Sequence, residues 1–414
     1  MSLEQKNAML EALSGSAERV FELQSAMTAM RALGPGNGGD GEQNKADYLE
    51  TWLRSFGIDD IEHVDAPDSR VSSGRRPNLI VRIPGRTSRT LWILGHMDVV
   101  PAGEESLWHT DPWTVTRDEK DPDLIYGRGV EDNQQAIVCG CLLAAAMKER
   151  NIVPELGLGL IFVSDEETGN AFGIQHLFRE KPDFIAEGDL VMVPDSGSAD
   201  GRFIEIAEKG ILWLRVVVEG RQCHASRPDD GNNALTAAAA MILGASDVEK
   251  RFSARDGLFS PDRSTFTPTR HEANVPNVNT IPGREVFYID CRVLPCYSLE
   301  EVLSAFRALG DEVAGTYGVR VEVEPFMQEP AAAPTPEDSA VVSSLKKAVK
   351  EVLGVDCTCG GIGGSTVAVN FRERGVPAVV WSLIFENCHA PNEAARISFA
   401  IKEAQVYASM LFDA

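Results

Sequence analysis

Four apolar runs of strand length are each followed closely by a histidine or a carboxylate, and this recurrence constrains the fold more than any other feature. The runs occupy residues 90–94, 156–163, 190–193 and 378–384. Apolar segments of about four to eight residues are typical of strands buried on both faces. In open α/β sheets, ligands bind beyond the carboxyl ends of the strands. We therefore expect the polar residues after these runs to share one edge of a sheet.

The polar residues that follow the runs are of types that catalyse reactions or bind metals. In chain order they are His96 and Asp98, Glu166 and Glu167, Asp195, and His389. One further acid, Asp132, precedes an alanine-rich helical segment at 136–150 and lies near Gly127 and Gly129. A lone acid at that position is ordinarily a helix N-cap, and a lone acidic loop is ordinarily solvated. The repetition at four strand ends favours a shared site instead.

The residue types at this predicted edge favour divalent cations. Two imidazoles and three carboxylates suit Zn²⁺, and also Co²⁺ or Mn²⁺. They belong to His96, His389, Asp132, Glu167 and Asp195. These acids are too many for one ion, but the set serves two cations if one carboxylate bridges them. Such a pair lowers the pKa of a shared water toward neutrality, and the adjacent Glu166 is free to accept the proton of that water.

The segment between residues 209 and 325 differs in character from the chain on either side. Strands at 211–218, 285–294 and 319–323 alternate there with helices at 233–250 and 298–315. This order suits a compact α+β insertion with helices on one face of an antiparallel sheet. We therefore predict two domains. A discontinuous α/β catalytic domain comprises residues 1–208 and 326–414, with a proline-rich return linker at 325–336, and residues 209–325 form the inserted domain.

Composition excludes several classes of function. The 414 residues include 39 Lys and Arg against 62 Asp and Glu, which gives a net charge of −23. Nucleic-acid binding needs a basic face, so we expect none. We see neither a signal-peptide core nor the roughly 20 apolar residues of a membrane span, and we predict a cytoplasmic protein. The eight cysteines lack zinc-ribbon spacing, so we interpret them as reduced thiols.

Five motifs in order resemble the dizinc aminoacylase and carboxypeptidase family, which includes acetylornithine deacetylase, succinyl-diaminopimelate desuccinylase and the carnosinase-type dipeptidases. The motifs are Gly95-His96-Met-Asp98, Gly127-Arg-Gly-Val-Glu-Asp132, Glu166-Glu167-Thr-Gly, Pro194-Asp195 and His389-Ala-Pro-Asn-Glu393. Each motif is weak alone, but in this order they are specific. The resemblance implies a zinc-peptidase-like catalytic domain, with a mixed central sheet and helices on both faces, and a ferredoxin-like lid that dimerises.

The resemblance also implies a role for each residue of the site. Asp132 would bridge two divalent ions, most simply Zn²⁺. His96 and Asp195 would be the remaining ligands of one ion, and Glu167 and His389 would be those of the other. Glu166 would act as general base and then as general acid, and Asp98 would orient His96.

The inserted domain carries further motifs that match the family. His224, in Gly-Arg-Gln-Cys-His-Ala-Ser-Arg-Pro, resembles the histidine that enters the partner's site in a homodimer and stabilises the oxyanion. Asn279 and Arg292 resemble the residues that hold the substrate carboxylate. Without the flanking patterns, His224 would be an ordinary surface histidine and Arg292 would pair with a neighbouring acid. The glycine-rich stretch 360–365 offers backbone N–H groups to an anion, and we add Gly364 and Ser365 to the substrate site.

These observations predict a metallohydrolase that cleaves an amide bond next to a free carboxylate in small peptides or N-acyl amino acids. Deacylases of the family usually carry Glu where Asp195 stands, and the desuccinylase pattern has an acid where Thr366 and Val367 follow the glycines. Both departures favour a dipeptidase or aminopeptidase, and an N-acyl amino acid deacylase is the alternative. Two other classes, a catalytically silent binding homologue and a dimerisation scaffold, make no use of the complete set of ligands and Glu166.

Overall fold

The computed structural model describes residues 2–413, and the chain divides into two compact units. The second unit comprises Ala207–Pro334 and Gly360–Val369, and the rest of the described chain forms the first. The mixed α/β class predicted from the sequence is confirmed by the large mixed sheet and its helices. None of the helices between residues 2 and 413 has the length and apolar character needed to cross a bilayer. All eight cysteines are free thiols.

Between residues 2 and 413 the chain forms ten α-helices and four short 3₁₀ turns. The helices are α1 (Ser2–Ser14), α2 (Ala17–Ala29), α3 (Gln43–Ser55), α4 (Gln134–Glu149), α5 (Ile174–Glu180), α6 (Ala234–Arg251), α7 (Leu299–Tyr317), α8 (Ala340–Leu353), α9 (Ala368–Arg372) and α10 (Ile397–Leu411). The 3₁₀ turns are Pro35–Asn37, Glu105–Leu107, Glu166–Thr168 and Pro228–Asp230.

The described chain forms nineteen β-strands, of which the three longest, with ten residues each, lie in the second unit. They are β1 (Ile61–His63), β2 (Ala66–Pro67), β3 (Arg75–Arg76), β4 (Leu79–Ile83), β5 (Thr90–His96), β6 (Thr116–Arg117), β7 (Leu124–Tyr126), β8 (Gly157–Val163), β9 (Leu190–Val193), β10 (Phe203–Glu208), β11 (Gly210–Glu219), β12 (Cys223–His224), β13 (Thr265–His271), β14 (Thr280–Ile281), β15 (Arg284–Val293), β16 (Arg320–Glu329), β17 (Thr358–Ile362), β18 (Ala378–Val380) and β19 (Ala394–Arg396).

The large sheet of the first unit is mixed, and its centre is parallel. Its strand order is β1-β4-β8-β5-β9-β18-β10-β17. Strands β8, β5, β9 and β18 run parallel to one another, whereas β1, β4 and β10 are antiparallel to their neighbours. Helix α4 packs on β5 and β8, and α8 packs on β9 and β18. This burial explains the continuous apolar runs in the central strands.

The second unit is built on an antiparallel sheet with the order β13-β15-β11-β16. Residues of β11 alternate, so that Leu212, Leu214 and Val216 all join the core beneath α6 and α7. Helix α7 begins with a capping box in which the Ser298 hydroxyl accepts the Glu301 N–H and the Glu301 carboxylate accepts the Ser298 N–H. Periodicity and local capping thus agree on an α+β unit of the kind the sequence predicts.

Two strands differ from the predicted bounds, for identifiable reasons. The run at 378–384 forms a strand only as far as Val380. Beyond it, Leu383 donates its N–H to the Glu403 carboxylate (3.1 Å) instead of to a strand. Conversely, β16 continues to Glu329, where we predicted a linker, because it stays paired with β11 past Pro325 through a register shift. Strand β13, which contains a proline, was not predicted.

The segment Gly360–Val369 belongs to the second unit, although the sequence assigned it to the first domain. Its main chain explains the difference: Gly361 donates its N–H to the Leu258 carbonyl (2.7 Å), and the Ile362 carbonyl accepts the Lys209 N–H (3.1 Å). Thr366 donates its N–H to the buried Glu208 carboxylate at 2.7 Å. Such contacts between residues distant in sequence leave no local signal.

Candidate metal centre

The carboxyl ends of four neighbouring parallel strands deliver the candidate ligands. His96 is the last residue of β5 and lies opposite Val163, the last residue of β8. The 3₁₀ turn Glu166–Thr168 follows β8 after two residues, and Asp195 follows β9 after one. The loop with His389 follows β18, which is parallel to β9. The strands predicted to share an edge therefore lie side by side, because parallel pairing aligns their carboxyl ends.

Asp132 lies between the two imidazoles. Its Oδ1 is 2.8 Å from His96 Nε2, and its Oδ2 is 3.1 Å from His389 Nε2. His389 Nε2 is also 3.1 Å from Glu167 Oε2, and His96 Nε2 is 3.5 Å from Asp195 Oδ1. The structure thus brings together all five residues that the sequence singles out as ligands, with one carboxylate shared between two histidines.

The electrostatics of the cluster reflect crowded acids. Hydrogen bonding to Asp132 and Glu167 raises the pKa of His389 to about 10. Burial lowers the pKa of His96, but the hydrogen bond with Asp132 contributes to a net rise well above the usual value. Burial raises the pKa of Glu167 to about 7 and that of Glu166 well above its usual range. Protons on the imidazoles therefore neutralise acids here, and a bound cation would displace them.

The donor set fits divalent cations. Donor atoms of His96, Asp132 and Glu167 lie within 4.8 Å of one another, and so do those of His96, Glu166 and Asp195. Glu167 Oε1 is buried and has no hydrogen-bond partner among the described residues. Buried carboxylate oxygens are normally satisfied, and a cation held by these candidate ligands would satisfy this one. Nitrogen and carboxylate donors suit Zn²⁺ and neighbouring metals.

Asp98 contacts the site in two ways, only one of which was predicted. His96 Nδ1 lies 3.0 Å from the main-chain carbonyl oxygen of Asp98 and 3.6 Å from its carboxylate. The orienting contact to His96 therefore comes from the carbonyl. The carboxylate accepts instead the N–H groups of Glu166 and Glu167, each at 3.0 Å. Asp98 thus fixes the turn that carries both glutamates.

Asn133 connects three ligand-bearing segments, and the sequence reasoning missed it. Its amide oxygen accepts the His96 N–H (3.3 Å), and its amide nitrogen donates to Asp195 Oδ1 and to the Pro194 carbonyl, both at 2.7 Å. Gly95 permits this approach, because a Cβ there would meet Asn133 Oδ1 at 3.2 Å and the side chain of α4 residue Ile137 at 2.8 Å. The position of Asn133 next to Asp132 was the available signal.

The segments that carry Asp132 and His389 are joined by two glutamates, one from each segment, and each binds main-chain N–H groups of the other segment. Glu393 is fully buried, and its carboxylate accepts the N–H groups of Gly129 (3.0 Å), Glu131 (2.9 Å) and Asp132 (3.0 Å). In return, the Glu131 carboxylate accepts two N–H groups of the loop before His389. The sequence placed Glu393 in a motif but gave neither glutamate a role.

The histidine and asparagine predicted in the inserted domain are neighbours in the second unit. Strands β12 and β14 pair His224 with Thr280, and the Asn279 carbonyl accepts the Ala225 N–H at 2.9 Å. His224 is exposed, and its Nδ1 accepts the Ser226 N–H (3.1 Å). In the neutral imidazole this contact assigns the proton to Nε2, which is therefore available as a donor.

Arg292 pairs with a neighbouring acid, the alternative that the sequence left open. Its Nε and Nη2 donate to the two oxygens of Asp290 at 2.8 and 2.9 Å, and its Nη1 donates to the Gly363 carbonyl at 2.9 Å. The guanidinium therefore holds the glycine-rich segment that contains Gly364 and Ser365, both of them half-buried. Any anion must use N–H groups that these contacts leave free.

Comparisons with known proteins agree with the geometry. The model of peptidase family M20/M25/M40 matches residues 92–413. An uncharacterized metallohydrolase of Methanocaldococcus jannaschii is 36% identical over 413 residues, covering 95% of this chain and 99% of the relative. A succinyl-diaminopimelate desuccinylase of Helicobacter hepaticus is 25% identical over 322 residues, covering 77% of this chain and 78% of the relative.

Solved structures show the same fold at low sequence identity. The dipeptidase Dug1p of Saccharomyces cerevisiae has a TM-score of 0.79 at 17% identity and covers 100% of this chain and 98% of its own. Human carnosine dipeptidase 1 has a TM-score of 0.76 at 16% identity, with 98% of each chain covered. The resemblance inferred from the five motifs is confirmed. This protein is a metallohydrolase of amide or peptide bonds and belongs to peptidase family M20/M25/M40.

Proposed function

We propose that the protein is a dinuclear hydrolase that cleaves an amide bond next to a free carboxylate in small peptides. The observation that carries this proposal is the position of Asp132, whose two oxygens each face a different imidazole. One cation would be held by His96, Asp132 and Asp195, and the other by Asp132, Glu167 and His389. Zn²⁺ is the first choice for such donors, with Co²⁺ and Mn²⁺ next.

Glu166 is the proton carrier in this proposal. Two bound cations would polarise the scissile carbonyl and acidify a water between them. Glu166 would accept the proton of that water and pass it to the leaving amine. The Asp98 carboxylate, which holds the Glu166 N–H at 3.0 Å, keeps the base in place. Burial raises the pKa of Glu166 above that of a free glutamate when no cation is bound, and the positive charge of bound cations would oppose this rise.

Small peptides are favoured over N-acyl amino acids by Asp195, since deacylases of the family usually carry the longer Glu. The fold is shared with enzymes named as dipeptidases. An N-acyl amino acid deacylase is the second candidate, because desuccinylases are among the relatives in sequence. A cytoplasmic location and a homodimer formed through the second unit belong to the same proposal.

Parallel assays of dipeptides and of N-acetyl and N-succinyl amino acids, each with Zn²⁺, Co²⁺ and Mn²⁺, test the substrate class. We expect dipeptides to be hydrolysed fastest. Amidation of the dipeptide carboxylate should lower kcat/KM by about 10- to 100-fold, because charge-assisted hydrogen bonds are worth about 1.5–3 kcal/mol. Turnover of acyl amino acids alone would refute the assignment from Asp195, and equal rates for acid and amide would refute carboxylate recognition.

Substitution of His224 by alanine is expected to lower kcat by about 10²- to 10³-fold, the usual effect of removing an oxyanion donor. The metal content should not change, because His224 lies in the second unit and the ligands lie in the first. Steady-state kinetics and metal analysis measure the two quantities. His176→Ala, a change in α5 of the first unit, is the control and should leave kcat unaltered. A wild-type kcat for His224→Ala would refute the proposed donor role.

A further inference from the structure

His389 lies on a loop whose backbone conformation is unfavourable by itself and depends on contacts from other parts of the chain. Three non-glycine residues of the loop, Glu386, His389 and Asn392, have left-handed φ angles of 60°, 60° and 62°. Such conformations cost free energy and persist only where surrounding contacts impose them. The His389 side chain is also 54% exposed, whereas that of His96 is 1% exposed. His389 therefore depends on its loop for position, whereas His96 is packed into the end of a strand.

Glu131 supplies the contacts that impose the loop conformation. It is 4% exposed, and its carboxylate accepts the Phe385 N–H at 2.7 Å through Oε2 and the Asn387 N–H at 2.9 Å through Oε1. These two N–H groups flank Glu386, the first of the left-handed residues. Both oxygens of one buried carboxylate are thus used to bend the chain that leads to His389.

The main chain at the other histidine, His96, is held by Asn133 and not by Glu131. The Asn133 amide holds the His96 N–H and the Asp195 carboxylate, and Asn133 makes its hydrogen bonds to the segments of β5 and β9. Glu131 and Asn133 flank Asp132 on opposite sides in the sequence. Glu131 therefore holds the segment of His389, and Asn133 holds the segments of His96 and Asp195.

We propose that Glu131 is a positioning residue for His389 and controls the affinity of only the cation that His389 binds, whereas Asn133 does the same for the cation of His96 and Asp195. This inference rests on the proposed dinuclear site. Residues that orient metal ligands typically change metal affinity by about 10- to 100-fold when they are altered. Substitution of Glu131 or of Asn133 should therefore lower the affinity for one ion and leave the affinity for the other unchanged.

Glu131→Gln is the informative change because glutamine has the same shape but only one acceptor oxygen. Its amide group would point an N–H at either the Phe385 or the Asn387 N–H, so one of the two hydrogen bonds would be replaced by a repulsion between donors. Glu131→Asp keeps two acceptor oxygens on a shorter side chain and should restore part of the affinity. Glu403→Gln is the matched control, since Glu403 is equally buried and also accepts a main-chain N–H, that of Leu383.

Equilibrium dialysis of Zn²⁺ at buffered free concentrations, followed by metal analysis, gives the affinity of each ion. The wild type and Glu403→Gln should bind two ions with the same affinities. In Glu131→Gln the affinity for one of the two ions should fall by about 10- to 100-fold. Circular dichroism checks that each variant is folded. Assignment of the weakened ion uses double variants: Glu131→Gln with His389→Ala should retain the same single ion as His389→Ala alone, and Glu131→Gln with Asp195→Ala should weaken both.

The outcomes separate this inference from the proposed function. Two ions bound with wild-type affinity by Glu131→Gln, or both ions weakened equally, would overturn the positioning role while leaving the dinuclear site intact. A wild-type protein that binds fewer than two ions would overturn the dinuclear function and this inference with it. With Co²⁺ in place of Zn²⁺, the absorption spectrum of Glu131→Gln should change in one component only, which a general loss of stability would not produce.

Discussion

Replacement of Glu166 by glutamine is expected to lower kcat by about 10²- to 10⁴-fold, the usual contribution of a general acid–base group, while two cations remain bound. Glutamine keeps the size of the side chain but can neither accept the proton of water nor deliver one to the leaving amine. Donor atoms of Glu166, His96 and Asp195 lie within 4.8 Å of one another, so the carboxylate is close enough to reach a water at the site. Steady-state kinetics and metal analysis of the same preparation test both statements.

Glu167→Gln provides the contrast for this experiment. Glu167 is the next residue, and the same Asp98 carboxylate holds its N–H at 3.0 Å, but its Oε2 faces His389 Nε2 at 3.1 Å. We expect this variant to lose metal affinity as well as activity. Loss of an ion from Glu166→Gln itself would show that Glu166 is a ligand, and a kcat near the wild-type value would show that another group carries the proton.

Replacement of Arg76 by methionine is expected to lower the free energy of unfolding by about 3–5 kcal/mol, the cost of breaking a buried ion pair. The side chains of Arg76 and Glu42 are both fully buried, and Arg76 Nε donates to Glu42 Oε2 at 2.7 Å. Arg76 also lies 3.5 Å from Asp165 and 3.7 Å from Asp68. Without the guanidinium, Glu42 would be a buried carboxylate without its main partner. Urea unfolding followed by circular dichroism measures the loss.

Two further variants make the Arg76 experiment specific. Arg70→Met removes an arginine that also contacts Asp68, at 2.8 Å, but whose side chain is 54% exposed, and exposed pairs contribute about 0–1 kcal/mol. Glu42→Met combined with Arg76→Met removes both charges and should recover much of the lost stability, because apolar residues replace buried pairs at little cost. Equal losses for Arg70→Met and Arg76→Met would contradict this account.

The order of residues along the chain revealed the secondary-structure elements and the candidate ligands, because both are encoded locally. Apolar runs predicted the central strands, and the residues at their ends predicted the edge where His96, Asp195 and His389 meet. Helix periodicity was also informative: the predicted helix 298–315 is observed as Leu299–Tyr317, and 136–150 as Gln134–Glu149. In a buried strand and in an amphipathic helix, the buried positions appear in the sequence as a regular pattern of apolar residues.

Contacts between distant residues explain what the sequence did not reveal. The last predicted helix, 393–412, begins only at Ile397, because residues 394–396 pair with β7 as a strand. The sequence left open whether Arg292 pairs with a neighbouring acid, and it gave no sign that the Arg292 guanidinium donates to the remote Gly363 carbonyl as well as to Asp290. In both cases local propensity is compatible with either outcome, and the partner decides between them.

The sequence by itself determined the α/β class and the family, and it singled out the histidines and carboxylates that are candidates for binding cations, because spacing and residue type suffice for those inferences. Only the tertiary structure decided how these side chains are held. Asp98 holds the glutamate turn, Asn133 holds the segments of His96 and Asp195, and Glu131 and Glu393 join the segments of Asp132 and His389. These are hydrogen bonds from side chains to the main chain of remote segments. Any main chain presents the same N–H and C=O groups, so the residue types along a sequence cannot identify which remote segment a side chain will bind.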